Sequence, residues 1–315
     1  MDNKASKYFR LIGIIIFIVI LFKIDIKGAS QIIKDINLEY FSFALVLVIP
    51  IFFISALRWF YFLRLLNINY PFLSALLVNQ TSQFISFVSP GKIGELIKIW
   101  YLKNDIDAPF AKGFMSVIIP RLIDAIVLII FFILGLTIIS LHKRIIIISG
   151  VVVISVFVLS LLKKSGLLNR QKVLGENKTF VNNIEYFINE FHQILNIKLI
   201  FFFIITLLQY LCIFCSCYYI AESISLYITF TNVMFVVSLG NILSFLPFSI
   251  AGLGTRDATY IYILSQIGKS NEEAIIFSNL VFVSFYLFGG IVGLVSYLIK
   301  PIAFNNSVTL NLKSK

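Results

Sequence analysis

Residues 86–100, SFVSPGKIGELIKIW, place a proline, two glycines, two lysines and a glutamate inside a chain that is otherwise close to hydrocarbon. Charge and broken backbone occur there together, and what permits them decides the fold. Of the 315 residues, 59% are hydrophobic and only 13% are charged, and the mean hydropathy is +0.98. A soluble domain carries about 25% charged residues. This chain lacks the polar surface to cover a globule in water, so lipid must be its solvent. The net charge of +11 is then read as lysines on cytoplasmic loops and against anionic head groups, with no nucleic-acid partner.

Six segments are apolar enough to cross a hydrocarbon core, at residues 8–22, 41–62, 114–140, 144–162, 199–220 and 274–299. Lys4, Lys7 and Arg10 precede the first of them, and no small-residue cleavage site follows, so it reads as a retained anchor. Residues 163–198 are polar, but Phe180, Ile184, Phe187, Phe191 and Ile194 recur at helical spacing, as in an amphipathic helix on the membrane surface. The lysine distribution places both termini in the cytoplasm of a multi-pass cell-membrane protein. Arg58 and Arg64, beside Trp59, are expected to snorkel to the inner surface.

Two further apolar stretches, residues 71–102 and 233–264, are interrupted by polar and glycine-rich sequence. Each reads as a re-entrant pair of half-helices, because unwound backbone survives at membrane depth only where protein or a water-filled cavity covers it. Aligning Gly94 with Gly254 brings Lys92 near Gly252 and a charged residue just after each glycine. Long spans precede and follow both copies. The chain is thus expected to be an all-α polytopic membrane protein. About six spanning helices and two re-entrant pairs would form one domain. Its inverted repeat would comprise residues 41–140 and 199–299, entering from opposite sides, with the site where the copies meet.

The same residues resemble a known family. SPGKIGELIKIWYL is similar to the P-x-x-x-G-E motif of the lysylphosphatidylglycerol synthase transmembrane region, also called the flippase-like domain family. IPRLIDAIVLI resembles its E-R-x-x-D element, and AGLGTRDATYIYIL its G-G-L-G-x-R-E element. Three elements in order cover residues 71–298. Pro120 stands where the family usually has glutamate, Asp257 replaces another glutamate, and SNLVFVSFYLF lacks the arginine often found in the last span. The chain ends soon after that span, so the resemblance implies the lipid-handling membrane unit without a soluble synthase domain.

Arg121 and Asp124 lie three apart and are expected to pair within one helix. Together with this pair, Lys92, Gly94, Glu95, Gly252, Gly254, Thr255, Arg256 and Asp257 are expected to line a head-group cavity. Free N–H groups after Gly94 and Gly254 would face a phosphate, Thr255 would cap the second short helix, and Arg256 would be the forked donor. Glu95 and Asp257 would hold Lys92 and Arg256. The cysteines, Cys212, Cys215 and Cys217, have no second pair to complete a metal site and are read as packing residues. His142 and His192 are isolated, so no metal, cofactor or catalytic group is assigned. The leading expectation is a carrier or flippase for an anionic phospholipid or lipid-linked saccharide. The alternatives are a membrane enzyme acting on a lipid phosphate, and a non-catalytic partner of a glycosyltransferase or lipid synthase.

Overall fold

The computed structural model describes residues 36–89, 92–135, 197–245 and 255–302, and every element among them is helical. Four spans are long and apolar enough to cross a membrane. They are α1 (Leu38–Leu65), α4 (Phe110–Gly135), α5 (Ile197–Ser223), and α8 (Asn271–Phe282) continuing through a π-helical turn (Val283–Leu287) into α9 (Phe288–Ile299). They coincide with four of the six expected spans. The other two, 8–22 and 144–162, lie outside the described residues, as do the linker up to residue 196 and both termini.

Between these spans stand shorter helices. The first hairpin consists of α2 (Phe72–Val88), a single 3-10 turn (Ile93–Leu96) and α3 (Ile97–Ile106). The second consists of α6 (Phe230–Ser244) and α7 (Thr255–Gln266). At 17, 10, 15 and 12 residues, none of these four α-helices covers a core of about 30 Å at about 1.5 Å per residue.

Contacts at the helix ends give the bundle two distinct poles. At one, Tyr70 Oη donates to Asp105 Oδ2 at 2.5 Å, Lys300 Nζ reaches the same oxygen at 2.6 Å, and Lys112 Nζ donates to Leu66 O at 3.0 Å. The end of α1, both ends of the first hairpin, the start of α4 and the end of α9 therefore meet there. Burial and the adjacent Asp105 push the Tyr70 phenol well above its usual pKa, so it stays a donor. At the other pole, Asn37 N donates to Ser223 O at 2.8 Å, and Phe132 near the end of α4 stacks on Phe235 near the start of α6. The second hairpin thus starts from the pole opposite to the first.

Glycines set the close approaches. A Cβ on Gly293 of α9 would stand 2.4 Å from Phe84 Cβ of α2, and one on Gly135 of α4 would stand 2.5 Å from Phe235 Cβ of α6. Each hairpin's first helix therefore lies against the span that follows the other hairpin. Phe62, Met115, Phe202, Phe214, Phe235 and Phe277 fill the interior. The outward faces are apolar, with Phe43, Ile133 and Ile204 more than half exposed, as suits a lipid solvent.

Candidate functional site

The hairpins and spans enclose a cavity offering about 190 Å³ that the centre of a water molecule can reach. Its wall draws cations from four places in the chain: Arg58 on α1, Lys92 and Lys98 in the first hairpin, Arg121 on α4 and Arg256 on α7. Glu95 and Asp124 are the carboxylates on that wall, and Asp257 sits behind Arg256. A low-dielectric surround makes the pairing of these groups decisive.

Arg58 and Asp124 form a forked contact. Arg58 NH1 meets Asp124 Oδ1 and NH2 donates to Oδ2 at 3.1 Å, with both side chains nearly buried. The expectation that Arg58 snorkels to the surface is corrected here. It precedes Leu65 by seven positions, about 10 Å of helix, and a buried carboxylate lies across from it. Arg64 does occupy an exposed position, over the Phe60 ring. Arg121 does not pair with Asp124 either. It turns to the first hairpin, where Nε meets Glu95 Oε2 at 3.2 Å and NH2 donates to Lys92 O. A spacing of three puts two side chains on one helical face, but each then reaches toward a different neighbouring element.

Arg256 is 4% exposed. Its Nε donates to Ser278 Oγ at 3.1 Å and NH2 to Asp257 Oδ1 at 3.1 Å, while Ser278 donates to the same carboxylate at 2.5 Å. The guanidinium lies 5.3 Å from the Phe282 ring, 5.7 Å from Tyr286 and 6.0 Å from Tyr260. NH1 is buried with no hydrogen-bond partner, and Arg256 lines the cavity. Asp257 thus holds Arg256 as expected. Glu95 holds Arg121 rather than Lys92, because Arg121 approaches the hairpin tip from α4.

The three arginine–carboxylate pairs leave two lysines. Lys92 Nζ lies 5.3 Å over the Phe245 ring, and Lys98, 6% exposed, has Nζ 5.0 Å over Trp59. Aromatic faces stabilise a cation without neutralising it. Lys98 is missing from the sequence-derived site, although it stands in the opening stretch six residues after Lys92. Ser55, Asn79 and Gln83 were missed too. Asn79 and Gln83 both donate to Ser55 Oγ, at 3.0 and 2.6 Å, giving the cavity a polar wall between α1 and α2.

The first glycine-rich tip behaves differently from expectation. The N–H of Glu95, the first after Gly94, is taken by Lys92 O at 3.2 Å and that of Gly94 by Ser89 Oγ at 2.8 Å, so neither faces a ligand. A Cβ on Gly94 would lie 2.6 Å from the backbone of Ile85 and Ser86. This glycine serves close packing inside the hairpin, and Lys92 takes the left-handed conformation (φ 57°) that turns the chain. Thr255 is already helical at the first described position of α7, and Gly252 and Gly254 lie outside the described residues. Cys217 is buried, and Cys212 and Cys215 are half-buried. Among the described residues, no group of three or more His, Cys, Asp or Glu is close enough to hold a metal ion.

The chain is similar to two UPF0104 membrane proteins and to one family model. The UPF0104 membrane protein MJ1595 of Methanocaldococcus jannaschii is 24% identical over 95% of this chain and 96% of its own length. The UPF0104 membrane protein PH1989 of Pyrococcus horikoshii is 25% identical over 44% of this chain and 42% of its own. The family model described as the lysylphosphatidylglycerol synthase TM region matches residues 10–293. With apolar spans folded around buried charge and a match over nearly the whole chain, this is a multi-pass membrane protein belonging to the lysylphosphatidylglycerol synthase TM region family.

Proposed function

We propose that the protein moves an anionic lipid, a phospholipid or lipid-linked saccharide, across the membrane by admitting its head group to the central cavity. The observation that carries this reading is the unbalanced charge. Among the described residues, five cations line the cavity and three carboxylates pair with them, leaving Lys92, Lys98 and the buried, unpartnered NH1 of Arg256. A cation at the centre of a bilayer costs about 2.5–3.5 kcal/mol on insertion scales, and an anionic guest offsets that cost. A phosphomonoester or a diphosphate linkage carries charge of the size left over, and on this reading the buried, unpartnered NH1 of Arg256 donates to its oxygens once they enter. The family's tie to a lipid synthase supports a lipid as the guest.

On this reading the two hairpins are re-entrant and belong to inverted repeats. The poles of the bundle support it: each hairpin starts from a different one, and their packing is reciprocal. Arg64, Lys103, Lys112 and Lys300 cluster with the first pole, whereas Glu39, Glu222, Glu272 and Glu273 belong to the other. The positive-inside rule then makes the Lys300 pole cytoplasmic, with both termini inside a cell membrane.

The test is lipid movement in reconstituted vesicles containing phosphatidic acid. Arg256→Gln should slow it about tenfold or more, the size of one lost charge-assisted hydrogen bond, with the thermal transition of the protein retained. Arg256→Lys should also slow it, because an ammonium cannot reproduce the fork. Movement at the unsubstituted rate in Arg256→Gln would sink the proposal.

A further inference from the structure

Beside the charged cavity, a groove between α1, α2 and α9 offers about 210 Å³ by the same measure. Ile49, Phe53, Leu76, Leu77, Phe288 and Val292 supply most of its wall. Its polar liners turn their donors away from it: Gln80 Nε2 donates to Phe52 O at 2.9 Å and Ser296 Oγ to Val292 O at 2.8 Å. The groove therefore presents an apolar wall. Phe52 is the residue common to the walls of the groove and the charged cavity. Its ring lies against Gly289, where an added Cβ would stand 2.6 Å from Phe52 Cζ and 3.1 Å from the Phe87 ring.

Each of the two helices flanking this partition carries a local feature. Pro50 stands within α1 between groove-lining Ile49 and cavity-lining Ile51. On the other side, the π-helical turn places Phe285 and Tyr286 on the cavity just before Phe288 on the groove. Proline and π turns loosen the backbone ladder and permit local bending. A charged chamber and an apolar groove that share one ring suit an amphiphile better than a water-soluble anion.

We infer that the groove receives one hydrocarbon chain of the lipid whose head group occupies the charged cavity, with Phe52 as the partition through which the two join. This rests on the head-group reading above and adds the path of the chain.

The test uses the full chain in phosphatidylcholine nanodiscs carrying phosphatidic acid with a diazirine on one acyl chain. Photolabelling should reach Leu76 and Val292. It should be displaced by unlabelled phosphatidic acid and fall about tenfold in Arg256→Gln, while labelling of lipid-facing Ile204 stays the same. Val292→Trp, which fills the groove, should weaken phosphatidic acid binding about tenfold and leave glycerol 3-phosphate binding unchanged. Labelling at Leu76 and Val292 that unlabelled lipid cannot displace would overturn the groove and leave the head-group reading intact. So would undiminished phosphatidic acid binding by Val292→Trp. If Arg256→Gln alters neither glycerol 3-phosphate nor lipid binding, the head-group reading fails and this inference fails with it. Should Val292→Trp not fold, displacement in the unsubstituted protein decides alone.

Discussion

The two hairpins solve the same problem, holding buried cations, by different means. In the first, the tip is bound from several sides: Ser89 takes the Gly94 N–H, Ser86 Oγ donates to Lys92 O at 3.3 Å, and Arg121 arrives from α4 to hold Glu95 and Lys92 O. In the second, Arg256 stands among three aromatic rings with one hydroxyl, one carboxylate and one guanidinium nitrogen buried without a partner. Counter-ions tie the first tip to its neighbours and leave Lys92 and Lys98 on aromatic faces alone, whereas Arg256 combines a counter-ion with aromatic faces. The first hairpin thus resembles scaffold with two lysines mounted on it, and the second a poised donor.

If scaffold and donor are distinct, their variants should fail differently. The largest expected loss is Asp124→Ala, which strands Arg58 and should cost about 3–5 kcal/mol in detergent unfolding. The Arg58→Ala, Asp124→Ala double variant should be less harmful than the sum, with a coupling of about 0.5–3 kcal/mol. Arg121→Ala with Asp124→Ala should be closer to additive, since they serve separate pairs; strong coupling between those two would break the assignment.

One glycine from each hairpin offers a sharper contrast. Gly94→Ala drives a Cβ into backbone at 2.6 Å and should cost about 1–3 kcal/mol. Gly240→Ala in the second hairpin meets Tyr260 Cε1 at the same 2.6 Å, but that is the outer edge of a side chain. It should cost less, below about 1.5 kcal/mol. Equal losses in thermal unfolding would remove the distinction between backbone packing in the first hairpin and side-chain packing in the second. Arg64→Gln, at the exposed end of α1, should stay within about 0.5 kcal/mol and leave lipid movement unchanged.

Membrane residence, four of the spans and the two interruptions were legible in the sequence because they depend on length and hydropathy along one dimension. A run such as that of α4 has no stable place in water, and SPGKIGE cannot continue an apolar helix unexposed. The same one-dimensional view marked Lys92, Glu95, Arg121, Asp124, Arg256 and Asp257 as costly in lipid, and all but Asp257 line the cavity, with Asp257 bound to Arg256. Which charge answers which was decided by tertiary structure alone. Asp124 sits three residues from Arg121 yet pairs with Arg58, 66 positions away, because α1 and α4 face each other there. Gly94 looked like an anion cradle and proved to be the contact point of a hairpin, since only the folded backbone reveals that Ile85 and Ser86 occupy the space a side chain would need. Sequence states the cost of a buried group, and the fold chooses the partner that offsets it.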